Sequence, residues 1–449
     1  MGVGARTALV LAALSCADAP AKTTAEEAAR LGRDLTPVGA ERAANADGSI
    51  SAWSGGLIGP PGCFQPGGRY CNPYAEDQPL YSITRANLDP YRGMLSAGQL
   101  EMFNRHEDYQ LDVYATRRSF ANPPFIYEAT RKNATSAELD GGGESLKGAV
   151  TGVPFPIPNK GSEVIWNHRL RYRGAGMQRW NSQLAVTAGG EFSLSKFRED
   201  VKFNYSRPGV TPEQLGNVIC YFLQLATEPQ RLAGDMLLVH ETLDPVREAR
   251  RSWQYHPGQR RLRRAPNVGY DAPAAGADGL RSVDQADSFN GAMDRYDWKL
   301  IGKKEMIVPA NSYALHSDRL KYADIVRKGH INQSLARYER RRVWQVDAVL
   351  RKNSIHQYRK RVFYVDEDGW QIRLVDLYDA QNQLWRLQEA HSVVAYDKPY
   401  ELPVCETVYD LQSGRYLAQA LNNEDAETVS KEYEETYFDP SNVSKLAAQ

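Results

Sequence analysis

The stretches SLARYERRRVWQVDAVLR (334–351), HQYRKRVFYVDED (356–368), WQIRLVDLYD (370–379) and QLWRLQEAHSVVAYD (383–397) decide the fold. Each is rich in β-branched and aromatic residues, and short polar breaks at Asn353-Ser354, Asp368-Gly369 and Gln381-Asn382 separate them. This pattern predicts four consecutive strands of an antiparallel meander. Along the first, Tyr338, Trp344, Val346 and Leu350 share one side, with charged residues among them. The expectation is a curved sheet with one face on an apolar interior and the other in water.

Working outward, strand signals recur at 109–116, 163–173, 178–187, 234–243 and 296–308, with a weaker one at 312–316. A hairpin turning at Pro257-Gly258 falls between them. Thr24 caps a short helix stopped by Gly32, and Ser96 with Gln99 makes a capping box for a helix over 97–106. The strongest helix signal is Thr211-Pro212-Glu213-Gln214, followed by Leu215, Val218, Ile219, Phe222 and Leu223 at helical spacing. That helix reads as a lid or as ordinary core. The Pro- and Gly-rich segment 119–162 reads as an extended loop. Past Lys398 the signals fade, and 424–449 reads as a polar, poorly ordered tail.

With 449 residues, length alone allows about three domains, but no linker interrupts 163–397. The 55 basic and 55 acidic residues balance, so charge favours neither nucleic acid nor an acidic partner. Residues 1–21 read as a signal peptide: one early positive charge, the run TALVLAAL (7–14), and Ala19-Pro20-Ala21 as a cleavage pattern. Cys16 is a weak lipidation candidate. Export predicts an oxidising compartment, and Cys63 and Cys71, eight apart in GCFQPGGRYC, are expected to form a disulfide. Cys220, expected on a helix face, and Cys405, in a loop-like stretch, either pair or remain buried thiols.

Four groups of residues are candidates for function, each with a plainer reading. The run 247–264 holds seven arginines and one acid, Glu248. Arg260, Arg261, Arg263 and Arg264 would lie on a sheet rim as a partner surface or simply a solvated face. His168 could act as an acid or base in a hydrolase, but a lone strand histidine is more often structural, and no G-x-S-x-G elbow is present. Asp366, Glu367 and Asp368, with Asp376 and Asp379 one strand on, could hold calcium, although a solvated hairpin tip explains them more simply. The eight histidines are scattered without metal-ligand spacing. Seven of the eight tryptophans fall in the strand-rich region, and they could line an apolar cavity for a lipid-like molecule or pack as ordinary core.

The motifs LTPVGAERAANADGSISAW (35–53), GVPFPIPNKGSEVIWNH (152–168), FNGAMDRYDWKLIGKKEM (289–306), RYERRRVW (337–344) and KRVFYVDEDGWQI (360–372) resemble the bacterial domain of unknown function 1329 family. More broadly, these motifs and the hairpin Trp253-x-Tyr255-x-Pro257-Gly258-Gln259-Arg260-Arg261-Leu262-Arg263-Arg264 resemble outer-membrane lipoprotein-sorting proteins. Ser51 and Ala310 depart from the family pattern, where a proline and a tyrosine are more usual. The resemblance implies a lipoprotein-localisation-like fold: a mainly β (α+β) chain whose large curved antiparallel sheet forms an unclosed β-barrel, with helices plugging the concave side. The expected layout is a signal peptide over 1–21, an N-terminal arm with helices over 22–108, one β domain over 109–423 and a tail over 424–449. The resemblance further implies a carrier of lipid or other hydrophobic cargo, acting beside a resistance-nodulation-division-type transporter or an outer-membrane protein. It carries over no catalytic residue, and the sequence itself calls for no cofactor, no metal and no nucleic acid. Within that picture Trp166, Trp253, Trp298, Trp344, Trp370 and Phe222 are the expected ligand-lining residues, gated by the helix centred on 215–223.

Overall fold

The computed structural model describes residues 23–140, 142–265 and 270–446. Its strands, in chain order, are β1 (Tyr81–Ile83), β2 (Leu111–Tyr114), β3 (Glu138–Asp140), β4 (Ser145–Lys147), β5 (Gly176–Val186), β6 (Phe192–Phe203), β7 (Val218–Glu228), β8 (Met236–Thr242) and β9 (Arg251–His256). They continue as β10 (Arg261–Arg264), β11 (Tyr296–Pro309), β12 (Tyr338–Leu350), β13 (Lys360–Asp366), β14 (Ile372–Tyr378), β15 (Leu384–Ala395), β16 (Tyr400–Asp410), β17 (Tyr416–Leu421) and β18 (Val429–Ser430). The α-helices are α1 (Ala25–Ala28), α2 (Ala97–Arg105), α3 (Pro124–Ser136), α4 (Gly161–Leu170), α5 (Pro212–Leu215), α6 (Tyr322–Ile325) and α7 (Pro440–Leu446).

The meander is present as expected, from β12 through β15, each strand antiparallel to the next. It belongs to one sixteen-stranded sheet ordered β1-β2-β12-β13-β14-β15-β16-β17-β5-β6-β7-β8-β9-β10, with β11 along β12 and β18 beside β5. The pairings are antiparallel apart from β2 against β12. The sheet is not closed into a barrel, because β10 and β11 do not pair with each other among the described residues. Its middle is made by β17 on β5, with Leu417 opposite Ala185. The chain therefore leaves the sheet's right half at β10 and later returns to knit β17 against β5.

Several sequence expectations are corrected. Residues 163–173 are not a strand; they belong largely to α4. Every residue of α4 except Glu163 is buried, so no 3.6-residue polar period exists to be read. Glu163 caps the helix, its carboxylate accepting the N–H groups of Asn159 and Lys160 at 2.6 and 3.2 Å. Gly161 lets the helix lie on β11 and β12, since a Cβ there would sit 2.9 Å from the Lys299 carbonyl carbon and from Val346 Cγ1.

The capping box at Thr211 and Gln214 is real, but the helix it opens has four residues. Gly216 and Asn217 turn left-handed, with φ of 58° and 67°, and Val218 begins β7. The expected gating helix over 215–223 therefore does not exist, and Leu223 faces away from the cavity-lining Phe222, into the cluster of Leu238, Tyr255 and Phe438. Within 119–162 the prolines start a helix rather than prevent one, because Pro124 occupies the first turn of α3. Residues 312–316 form turns rather than a strand.

The region past Lys398 carries β16 and β17, buried almost throughout near the centre of the sheet. The described part of the supposed tail is also ordered. Phe438 and Val443 are fully buried with Tyr433 against Leu223, Leu238 and Tyr255. Residues 447–449 lie outside the described residues.

One wet face is not what β12 to β17 have. Both sides of β13, β14, β16 and β17 are buried almost throughout. On one side lie α4 and the segment 273–290; Ala277 and Leu280 pack on Val408, Leu417 and Ala185. The other side takes α2, whose first turn sits on Asp376.

Charged residues survive there because they are paired. Arg373 donates to Asp366 at 2.8 Å, to Glu401 at 2.6 Å and to the Ser392 hydroxyl at 2.6 Å. Arg341 reaches Asp366 at 2.9 Å, and Arg118 reaches Asp368 at 2.6 Å. The acidic turn Asp366-Glu367-Asp368 is thus neither a solvated tip nor a calcium site. Its carboxylates are buried and neutralised by arginine and by Lys303, and among the described residues no cluster of metal-ligating side chains occurs.

The Ser96 box forms as expected and is completed from outside. Asp376 accepts the Ser96 hydroxyl at 2.8 Å and the N–H groups of Ala97 and Gly98 at 3.0 and 2.9 Å. Burial nevertheless pushes its carboxyl up to about 6. The folded chain then binds a proton that the unfolded chain releases, so stability should fall as pH rises from about 4 to about 6. Asp376→Asn is expected to flatten that fall, which urea midpoints across the same pH range would measure.

The Cys63–Cys71 disulfide is formed. Reducing it should cost about 2–3 kcal/mol in the chain-entropy account, read as a lower urea midpoint with reductant. Cys220 and Cys405 are free and lie in β7 and β16, not on a helix and in a loop.

Candidate ligand-binding cavity

Alternation along β5 to β9 sends one set of side chains to a common face. Phe197 stands opposite Asn181 and Ala226, Val201 opposite Phe222, and Phe222 opposite Val239. Together with the cover formed by the C-terminal end of α4 and by 273–290, they enclose a cavity of about 330 Å³. Small-molecule sites span roughly 300–1,000 Å³, so the cavity has the size of a site for one modest ligand. Phe197, Val201, Phe203, Ile219, Phe222 and Phe289 give it apolar walls.

Its polar groups come in two neighbourhoods. On the sheet, Glu199 accepts from Arg179 at 2.7 Å, Asn181 at 2.8 Å and Gln224 at 2.9 Å, and these partners hold its carboxyl low despite burial. Glu406 nearby accepts from Gln419 at 2.9 Å, and burial pushes it up to about 7. At the cover, Asp287 is held by Arg171 and, at 2.6 Å, by Arg173. Glu241, from β8, lies 3.7 Å from Arg169 and 2.9 Å from Arg250. Cys220 also lines the chamber, its thiol pushed up to about 12 by burial, so it is not a nucleophile at neutral pH.

A family model described as a protein of unknown function (DUF1329) matches residues 82–444. The chain belongs to the DUF1329 family. The uncharacterized protein PA3922 of Pseudomonas aeruginosa is 48% identical over 428 residues, spanning 95% of this chain and 94% of that one. Two crystal structures resemble this DUF1329 chain more distantly. A domain from Vibrio parahaemolyticus named for outer membrane lipoprotein sorting is 14% identical with a TM-score of 0.44, covering 63% of this chain and 97% of its own. A DUF1329 family protein from Desulfovibrio piger is 14% identical with a TM-score of 0.41, covering 60% and 92%.

Of the six residues expected to line a ligand site, the cavity of this DUF1329 chain takes in Phe222 and none of the five tryptophans. Trp166 is buried in α4, its indole N–H donating to the Gly143 carbonyl at 2.9 Å. Trp370 is buried and donates to the Val38 carbonyl at 3.0 Å. Trp298 donates to the Met293 carbonyl at 2.9 Å and packs on Phe289 and Phe363. Trp344 stacks on Trp370 beneath the Lys303 ammonium. Trp253 lies on the opposite face of β9 from the cavity-lining Gln254, against His240 and the C-terminal cluster.

His168 is fully buried with both ring nitrogens engaged. The Ile372 N–H points to Nδ1 at 3.2 Å, and Nε2 lies 2.8 Å from the Asp287 carbonyl oxygen. Burial pushes its pKa down to about 3, so it stays neutral and structural. Arg261, Arg263 and Arg264 are exposed on β10, the last strand of the sheet, and Arg260 is exposed in the turn before it.

The cavity arginines were missed in the sequence. Arg169 and Arg173 line the cavity, with Arg171 between them reaching Asp287 at the cover, and their alternation in the run HRLRYR is the signal that could have found them. The signal-peptide and Cys16 readings fall outside the described residues. Among the described residues no helix is long and apolar enough to cross a membrane.

Proposed function

We propose that this protein is an exported, periplasmic, non-enzymatic carrier or chaperone that holds a lipid or other hydrophobic molecule in the cavity between β5–β9 and their cover. The observation that carries this reading is the apolar chamber of about 330 Å³ walled by Phe197, Val201, Phe203 and Phe222. Burial there would contribute about 25 cal/mol for each Å² of apolar ligand surface. A hydrolytic reading through His168 finds no support, because both of its ring nitrogens are already engaged within the core. The carrier would serve a membrane-transport or outer-membrane localisation system, beside a resistance-nodulation-division-type transporter or an outer-membrane protein.

The test uses N-phenyl-1-naphthylamine, a neutral apolar probe that brightens in dry surroundings. The wild type should bind it, and Ala226→Trp, which fills the chamber from β7, should weaken binding by about tenfold or more. No probe binding by the wild type, or equal binding by a folded Ala226→Trp variant, would sink the carrier reading.

A second reading is favoured by one observation. Arg261, Arg263 and Arg264 stand exposed on an edge strand with Arg260 in the turn before it, and none pairs with a carboxylate among the described residues. Cations on an edge discourage strand addition, and they could equally dock an adaptor's acidic partner. Reversing these charges should leave probe binding intact in a carrier, and should abolish co-purification with the membrane partner in an adaptor.

A further inference from the structure

The cover of the cavity holds an excess of cation. Arg169, Arg171, Arg173 and Arg250 gather around only two carboxylates, Glu241 and Asp287. Asp287 is taken by Arg171 and Arg173, which leaves Arg169 and Arg250 sharing Glu241. Neither guanidinium is satisfied by it. Arg169 is 7% exposed, and its Nη1 has no hydrogen-bond partner among the described residues; the same is true of Arg250 Nη1.

A buried guanidinium with an unmet donor is costly, and water alone does not supply the missing charge. Both side chains are held in place from behind, Arg169 over the Trp166 ring at 4.3 Å and Arg250 over the Tyr270 ring at 5.2 Å. The two therefore present fixed donors to the chamber rather than mobile ones. Arg281 also lines the cavity with an unmet Nε. It faces the carboxylates of Glu199 and Glu406 as its nearest opposite charges, so it does not form a second anion site.

We propose that the corner formed by Arg169 and Arg250 binds the anionic headgroup, carboxylate or phosphate, of a single-chain amphiphile whose tail lies along Phe197, Val201 and Phe222. This rests on the carrier reading and names its cargo class. Two guanidiniums suit a two- or three-oxygen anion, through charge-assisted bonds about twice as strong as neutral ones. The volume, at the low end for ligand cavities, favours one chain over several.

The experiment compares ligands of one chain length on the full wild-type protein: dodecanoate, dodecyl phosphate, dodecanol and dodecyltrimethylammonium, each displacing N-phenyl-1-naphthylamine. An anionic ligand should bind about tenfold or more tighter than dodecanol, and the cationic one more weakly. Whichever anion binds tighter distinguishes a fatty-acid from a phosphate head. In the double variant Arg169→Gln/Arg250→Gln the anionic affinity should fall to that of dodecanol. Dodecanol or the cation binding as tightly as both anions would overturn the proposal even if the variant does not fold, as would a folded variant that keeps the anion preference. Failure of the neutral probe itself would instead remove the carrier reading beneath it.

Discussion

Arg373→Met is expected to destabilise the protein by about 3–5 kcal/mol, the cost of removing one partner from a buried ion-pair network. Arg373 is almost wholly enclosed and serves two carboxylates and a hydroxyl. After the change Asp366 keeps Arg341, whereas among the described residues Glu401 keeps one hydrogen-bond donor, the Ser392 hydroxyl at 2.9 Å. The loss should therefore fall chiefly on Glu401. An unpaired buried carboxylate has its pKa raised, so the variant takes up a proton on folding, and its deficit should shrink as pH falls towards 4. Adding Glu401→Gln should recover part of the loss at neutral pH. Urea unfolding of the two single variants and the double variant measures the coupling. A deficit independent of pH, with no gain in the double variant, would contradict this account.

Phe438→Ala should cost about as much, 3–5 kcal/mol for a large buried aromatic. Phe438 is fully buried, stacks on Tyr221 at 5.4 Å and fixes the polypeptide through its carbonyl, which accepts from His240 Nε2 at 3.0 Å. The neighbouring hydroxyls of Tyr433 and Tyr437 both donate to Asp200 on β6. The segment thus covers the face of β6–β9 opposite the cavity. A loss under about 1 kcal/mol by urea denaturation would mean that the C-terminal segment is a detachable tail after all.

That segment marks where the sequence was hard to read. Between Glu424 and Ser444 the residues are mostly polar and the few aromatics have no period, because a short clip is held by scattered anchors rather than by a continuous apolar stripe. The meander was legible for the opposite reason: β12 to β15 are long, β-rich and adjacent in sequence, so local propensity and global pairing agree. β16 was lost because its charged residues, among them Glu401, Glu406 and Asp410, read as loop, although each is buried beside a partner.

The stripe at 215–223 failed differently. Leu215, Val218, Ile219 and Phe222 match a helix period by position, and only the left-handed pair Gly216-Asn217 betrays the break into β7. The cavity suffered from the same limits. Tryptophans are conspicuous in a sequence, but here their indole N–H groups mostly find carbonyls within the core. The chamber wall was left to phenylalanine and valine on strands whose sidedness no one-dimensional pattern reveals.

The seam between β17 and β5 has a consequence for how the chain acquires its structure. Its two strands, 416–421 and 176–186, come from far apart in the sequence, so the loop between them must close before the middle of the sheet can exist. Such non-local pairing is slow and comes late. Until β17 arrives, β5 and β16 are both open edges with unpaired backbone groups, ready to join another chain. A chain halted before residue 416 should accordingly aggregate rather than form a stable half-sheet, and chaperone capture of the unfolded chain would protect it during the interval before its last central strand is delivered.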